Sequence, residues 1–233
     1  MLGQPLPYQA SQSLRQRLSP ANLGHTPPNA LPLLQQPNQT GLSPLPPPRL
    51  LLTAFRPWRT HQVSNSSDDL LLALQRQAWL PENTHVLRHL PVSFQLAHPA
   101  VIAKILWLQP HFVICCGMAE NRSRLSLELQ GIDIDNNQAL QTPLPLSTLL
   151  QGTALTEISS DAGSYVCNHL YFQVLQFLRR NHMACQALFI HVPKLNQANL
   201  GLIMQDFNRI LLQLSPPVHS GAIAPVVRLP LAS

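Results

Sequence analysis

From Leu50 onward, short apolar runs alternate with longer segments of helical period, separated by polar or proline-containing stretches. Leu50-Leu51-Leu52-Thr53-Ala54-Phe55 has the length and composition of a buried strand. A polar loop through Arg59, Thr60, His61 and Asn65 follows. Ser66 or Ser67 then caps a helix continued by Leu70 to Leu74, and Asp68 and Asp69 suit its positive first turn. Pro81-Glu82-Asn83 breaks the chain before a strand over Thr84 to Phe94, whose end Pro91 weakens. Pro99 to Leu108 predicts a helix with Ile102, Ile105 and Leu106 on one stripe, stopped by Pro110. His111-Phe112-Val113-Ile114-Cys115-Cys116-Gly117 is a further buried strand.

Beyond Arg124, Leu125, Leu127 and Leu129 alternate with Ser126, Glu128 and Gln130, so leucines and polar residues occupy opposite faces of a strand. The phase changes after Gly131, where Ile132 and Ile134 are apolar, and a bulge at Gly131 accounts for it. Residues 136–160 are polar and loop-like, with a short helix near Leu146–Leu150. Tyr165 to Arg180 has helical period and Ala187 to Val192 that of a strand. Leu200 to Leu214 is an amphipathic helix with Leu202, Ile203, Phe207, Ile210 and Leu211 inward, ended by Pro216-Pro217. Strands alternating with helices predict an α/β domain, a three-layer α/β/α sandwich with a mixed, largely parallel sheet. No internal repeat is present.

Composition divides the chain. Nearly half the prolines lie before Arg49, and residues 1–48 are rich in Pro, Gln, Asn, Ser and Leu. Such a segment lacks the apolar residues for a core and is expected to be disordered. Pro44 to Arg49 reads as a semi-rigid linker or, in the alternative, a polyproline II ligand. The predicted organisation is an extension over 1–48, an α/β domain over 49–215 and a loose tail over 216–233. The net charge of +5 comes largely from the front of the chain, where no acidic residue precedes Asp68. Its arginines are spread out without the basic, aromatic-interleaved stripe of a nucleic-acid surface, so no nucleic-acid partner is expected. No apolar run spans a bilayer and no signal peptide is apparent, which predicts no membrane partner, reduced thiols and a cytoplasmic protein.

Three residues carry candidate chemistry. Cys167 follows the polar turn Ser159-Ser160-Asp161-Ala162-Gly163-Ser164 and falls in the first turn of a helix. Partial positive charge and unpaired N–H groups there favour thiolate over thiol, and thiolate is the nucleophile. His191 closes a strand, where an imidazole can serve as general base and then as acid. Glu128, flanked by leucines, faces solvent or a polar cleft; in a cleft it orients the imidazole. Each has a plainer role open to it: a small buried hydrophobe, a satisfied histidine, a surface carboxylate. Cys115-Cys116 point to opposite faces of a strand, and no histidine spacing suits a metal, so no metal site is expected.

Four segments, in order, resemble the pyroglutamyl peptidase I (pyrrolidone-carboxylate peptidase) family. Leu51-Leu52-Thr53-Ala54-Phe55-Arg56-Pro57-Trp58 is similar to its opening strand and loop. Gly117-Met118-Ala119-Glu120-Asn121-Arg122-Ser123 through Glu128 resembles the segment that contributes a catalytic Glu. Asp161-Ala162-Gly163-Ser164-Tyr165-Val166-Cys167-Asn168 resembles the nucleophile motif, and Phe189-Ile190-His191-Val192-Pro193 the motif of the catalytic His. The resemblance implies removal of N-terminal pyroglutamyl residues through a thioester, without metal or cofactor. It also implies peptide substrates with a blocked N-terminus, Phe55 and Trp58 clasping the pyrrolidone ring, and homo-oligomers as one assembly state. Ala54, Arg59-Thr60 and the short stretch between Glu128 and Cys167 depart from the family pattern. Two other readings therefore stand beside it: an eroded, non-catalytic binding module, and a cysteine amidase with another acyl specificity.

Overall fold

The computed structural model describes residues 46–60 and 62–216. The expectations for the extension and the tail fall outside them, apart from residues 46–48 and 216. Thirteen elements follow one another: β1 (Leu50–Phe55), α1 (Ser66–Arg76), β2 (Thr84–Leu90), α2 (Ala97–Leu108), β3 (Phe112–Ala119), β4 (Leu125–Glu128), β5 (Gln130–Ile132), β6 (Ala139–Gln141), α3 (Leu146–Leu149), β7 (Thr156–Ser159), α4 (Val166–Arg180), β8 (Gln186–Pro193) and α5 (Leu200–Leu214).

Six strands form one sheet in the order β2-β1-β3-β8-β4-β7. All neighbours are parallel except β8 and β4, which run antiparallel. Helices cover both faces, so strands β1, β3 and β8 are buried along nearly their whole length. On one face Leu50, Leu52, Ile114, Leu125, Leu127, Leu188 and Ile190 pack against α1 and α5. On the other Leu51, Phe55, Val113, Ala187 and Phe189 pack against α2 and α4. The predicted three-layer sandwich with a mixed, largely parallel sheet is the architecture found.

Several local expectations are corrected. Asn65, not Ser66 or Ser67, caps α1: its side chain accepts from the Ser67 backbone N–H at 3.0 Å. Asp68 does sit in the first turn, where it also receives two bonds of 2.7 Å from Arg88. Strand β2 stops at Leu90, the residue before Pro91. On α2 the inward stripe is Val101, Ile105 and Leu108, while Leu106 is exposed. On α5 Leu202 faces solvent, with Ile203, Phe207, Ile210 and Leu211 inward as expected.

The phase change at Gly131 has another cause than a bulge. After β4 the chain leaves the main sheet, and β5 pairs antiparallel with β6 in a two-stranded ribbon. A Cβ on Gly131 would lie 2.6 Å from the Phe172 backbone nitrogen, so the ribbon meets α4 backbone to side-chain-free backbone. The loop-like reading of 136–160 also missed β6 and β7, whose few residues carry little apolar periodicity. Asp206 on α5 secures the approach to β7: its carboxylate accepts from Ala154 N, Leu155 N and Thr156 Oγ1 at 2.6 to 2.9 Å.

Burial leaves several weak acids enclosed in the core. It pushes the Cys115 and Cys185 thiols from an ordinary value near 9 up to about 12, and raises Cys116 and the Tyr171 phenol well above their usual ranges. Above pH 9 the unfolded chain releases these protons and the folded chain keeps them. The unfolded state then binds fewer protons, so stability falls as pH rises. Thermal melting is expected to shift downward steadily between pH 8.5 and 10.5. An unchanged midpoint over that range would show that these groups ionise equally in both states.

Candidate active site

The site lies at the carboxyl ends of β3 and β8, where an open α/β sheet presents side chains to a crevice. In register, Gly117 of β3 pairs with His191 of β8, and His191 pairs with Ser126 of antiparallel β4. Ser126 and Glu128 point away from the Leu125/Leu127 core, as the alternation predicts, and towards the α4 side of the sheet. Glu128 faces neither solvent nor open cleft: it is wholly buried. Its Oε1 lies 2.7 Å from His191 Nδ1. A carboxylate partner fixes the proton on Nδ1 and leaves Nε2 free as an acceptor.

Cys167 is the second residue of α4. Tyr165 is the N-cap residue, with an extended backbone and no capping bond from its side chain. Two neighbours of Cys167 dock this first part of the helix. The Asn168 amide accepts from Ile132 N at 2.8 Å and donates to Ile132 O at 2.7 Å, a pairing that imitates a strand. The Tyr171 hydroxyl donates to the Glu128 backbone carbonyl at 2.9 Å. The thiol is thus referenced to the same strand segment that carries the carboxylate.

Gly117 makes room for the sulfur. A Cβ there would stand 2.7 Å from Cys167 Sγ and 2.8 Å from Phe189 Cζ, closer than any side chain tolerates. The Phe189 ring in turn packs against His191, with centroids 4.8 Å apart. The motif spacing includes Gly117, but only the packed structure explains why it has no side chain.

Burial governs the thiol. It pushes Cys167 up from near 9 to about 12, with Cys115 and Glu128 adding to the rise, while its own backbone N–H and Arg122 oppose it. The expectation that the helix N-terminus favours thiolate is therefore overturned: desolvation outweighs the helix end, and the resting group is the thiol. As a residue, Cys167 keeps some exposure to solvent where Cys115 and Cys116 are enclosed. Cys115 and Cys116 do divide between the two faces of β3, one in each core.

Cys167 and His191 open on one cavity of about 390 Å³. Phe55 and Trp58 both line it, Phe55 from the core and Trp58 from the rim. Tyr165 extends this wall, its ring 5.2 Å from Trp58. Glu120 and Arg122 lie on the polar side. The Trp58 loop is tied across the mouth: Gln62 accepts from Trp58 N and Arg59 N and donates to Glu120 at 2.7 Å, while Arg59 pairs with Glu120 at 3.3 Å. Arg122, which sequence reasoning gave no role, donates to Glu128 Oε1 and to the Asp161 carbonyl, each at 2.6 Å. Its place in the Gly117-to-Glu128 motif was the signal available. No cluster of three metal-ligating side chains occurs among the described residues.

A thiol at a helix start, sharing a cavity with an imidazole held by a buried carboxylate in an α/β sandwich, is the set of parts a cysteine hydrolase uses. Comparison with known proteins narrows the class. The family model described as pyroglutamyl peptidase matches residues 129–209, a span that holds Cys167 and His191 and begins just after Glu128. Pyrrolidone-carboxylate peptidase 2 of Caldanaerobacter subterraneus subsp. tengcongensis is 28% identical over 172 residues, covering 63% of this chain and 82% of that protein. The pyrrolidone-carboxylate peptidase of Streptococcus pneumoniae is 26% identical over 173 residues, covering 62% and 78%. The crystal structure of pyroglutamyl peptidase I from Bacillus amyloliquefaciens shares the fold, with a TM-score of 0.61 at 20% identity over 71% of this chain and 95% of that one. So does pyrrolidone carboxyl peptidase from Thermococcus litoralis, with a TM-score of 0.60 at 21% identity over 72% and 93%. These likenesses are all to pyroglutamyl (pyrrolidone-carboxylate) peptidases, at 28% identity or less.

The Gly117 contact yields a direct test. Gly117→Ala is expected to displace the Cys167 side chain and to slow its alkylation by iodoacetamide by about 10-fold or more, since an atom placed under 3 Å from sulfur forces a shift of the ångström order to which such chemistry is sensitive. Unchanged labelling, followed by peptide mass spectrometry with circular dichroism confirming the fold, would show that the thiol has other room.

Proposed function

We propose that the protein is a cysteine exopeptidase that removes N-terminal pyroglutamyl residues from peptides, with Cys167 as nucleophile, His191 as acid and base, and Glu128 as the residue that orients the imidazole. The observation that supports it best is the 2.7 Å contact between His191 and buried Glu128, made beside the cavity that Cys167 shares.

On this reading Cys167 Sγ adds to the pyroglutamyl carbonyl carbon as its proton passes to His191 Nε2. The amide C–N bond then breaks while the imidazolium returns that proton to the leaving amine, and a thioester remains. Water gives a proton to His191 and attacks the thioester; the C–S bond breaks, the thiol is restored and pyroglutamate leaves. The uncapped first-turn N–H groups of α4 are the natural donors to the oxyanion. A thiol raised to about 12 by burial makes the proton transfer to His191 obligatory.

The cavity chemistry suits a neutral lactam. Phe55 and Trp58, with Tyr165 beside them, offer apolar walls to a small ring. A free α-ammonium would need an anionic partner, and Glu120 is already paired with Arg59. A free-thiol nucleophile suits a reducing cytoplasm, and the four cysteines are free. No described helix is long and apolar enough to cross a membrane. The same proposal takes peptides, not nucleic acid or lipid, as partners, and includes a homo-oligomer.

Purified protein is expected to release a fluorophore from a pyroglutamyl amide under reducing conditions. Cys167→Ser should abolish turnover, and His191→Gln should lower kcat by about 10²-fold or more. Equal turnover by Cys167→Ser would sink the assignment. Cleavage of other N-acyl amides but not the pyroglutamyl one would identify an amidase of different specificity, and labelling without any turnover a binding module.

A further inference from the structure

Arg122 stands in the β3–β4 connection, in a turn closed by its own backbone N–H to the Ala119 carbonyl. Its guanidinium reaches two places at once. Nη1 donates to Glu128 Oε1 at 2.6 Å and Nη2 to the Asp161 carbonyl, also at 2.6 Å. Asp161 opens the segment that ends at Cys167, and its side chain accepts from Gly163 N at 2.8 Å, shaping that segment.

The contact to Glu128 is unusual in its choice of oxygen. Arg122 and His191 converge on the same Oε1, and the buried Oε2 has no partner. Two contacts on one oxygen fix the carboxylate where it meets the imidazole, and the same guanidinium fixes the start of the Cys167 segment.

We propose that Arg122 is a positioning residue that ties Glu128 to the start of the Cys167 segment and so keeps carboxylate, imidazole and thiol in register. The proposal rests on the Cys167–His191–Glu128 reading, and not on the identity of the acyl group. A planar fork is required for the double contact; lysine supplies the charge without it.

The test measures iodoacetamide alkylation of Cys167 in the full chain at one pH, with the modified peptide identified by mass spectrometry. It needs no pyroglutamyl substrate, so it stands even if that substrate is wrong. Arg122→Met and Arg122→Lys should both slow alkylation by about 10-fold, because neither supplies the fork that spans Glu128 and the Asp161 carbonyl. With Glu128→Gln already present, Arg122→Lys should cost less than about 2-fold more, because residues acting through one another are non-additive. Unchanged alkylation in both Arg122 variants, or losses that add to those of Glu128→Gln, would overturn the proposal and leave Arg122 a loop staple. Should Arg122→Met fail to fold, as judged by circular dichroism, the lysine variant and its cycle decide alone.

Discussion

A carboxylate with no exposure to solvent is expensive to keep unless its charge is met inside the protein, and Glu128 is wholly buried. Much of the site follows from meeting it. The strand that carries Glu128 lies between β8 and β7, antiparallel to β8, so His191 reaches the carboxylate from the neighbouring strand. The guanidinium enters from the loop before β4, and the Tyr171 hydroxyl takes the Glu128 backbone carbonyl from α4. Three separate stretches of chain thereby converge on one residue. Losing any of them leaves a buried group unmet, which ties the correctness of the fold to that of the site.

The second constraint is steric. Helix α4 lies so close to the sheet that Gly117 admits Cys167 Sγ and Gly131 admits the Phe172 backbone. Close approach places the sulfur over the strand end that bears His191. It also removes water from the sulfur, which is why the thiol's affinity for its proton rises despite the helix N-terminus. The same packing therefore brings the sulfur to the strand end that bears the imidazole and strengthens its hold on its proton.

Most of the architecture was legible because two-sided burial writes itself as apolar runs. β1, β3, β8 and the amphipathic α4 and α5 were all visible in that way. The strict alternation Leu125-Ser126-Leu127-Glu128 even gave the correct face for Glu128. What the pattern could not show was inter-element geometry. Gly131 looked like a bulge because periodicity registers a change of phase and not a change of sheet. β6 and β7 escaped since short edge strands bury too few residues to set a period. The α2 stripe was misplaced because all of its apolar residues look alike until a neighbour covers some of them. In the site, residue types announced Cys167, His191 and Glu128, whereas Gly117, Asn168 and Arg122 act through contacts that only the fold creates.

The departures from the family pattern can be weighed on the same terms. They fall on Ala54, on Arg59-Thr60 and on the stretch between Glu128 and Cys167, and none removes a group that meets Glu128 or seats the sulfur. Ala54 points into the opposite core, away from the cavity. Arg59 is built into the rim, over the Trp58 ring at 4.5 Å and against Glu120. The shortened stretch still delivers the Asp161 carbonyl to Arg122 and the Ile132 backbone to Asn168. Divergence has therefore altered the walls and the mouth of the cavity while the charge network behind the thiol stays complete.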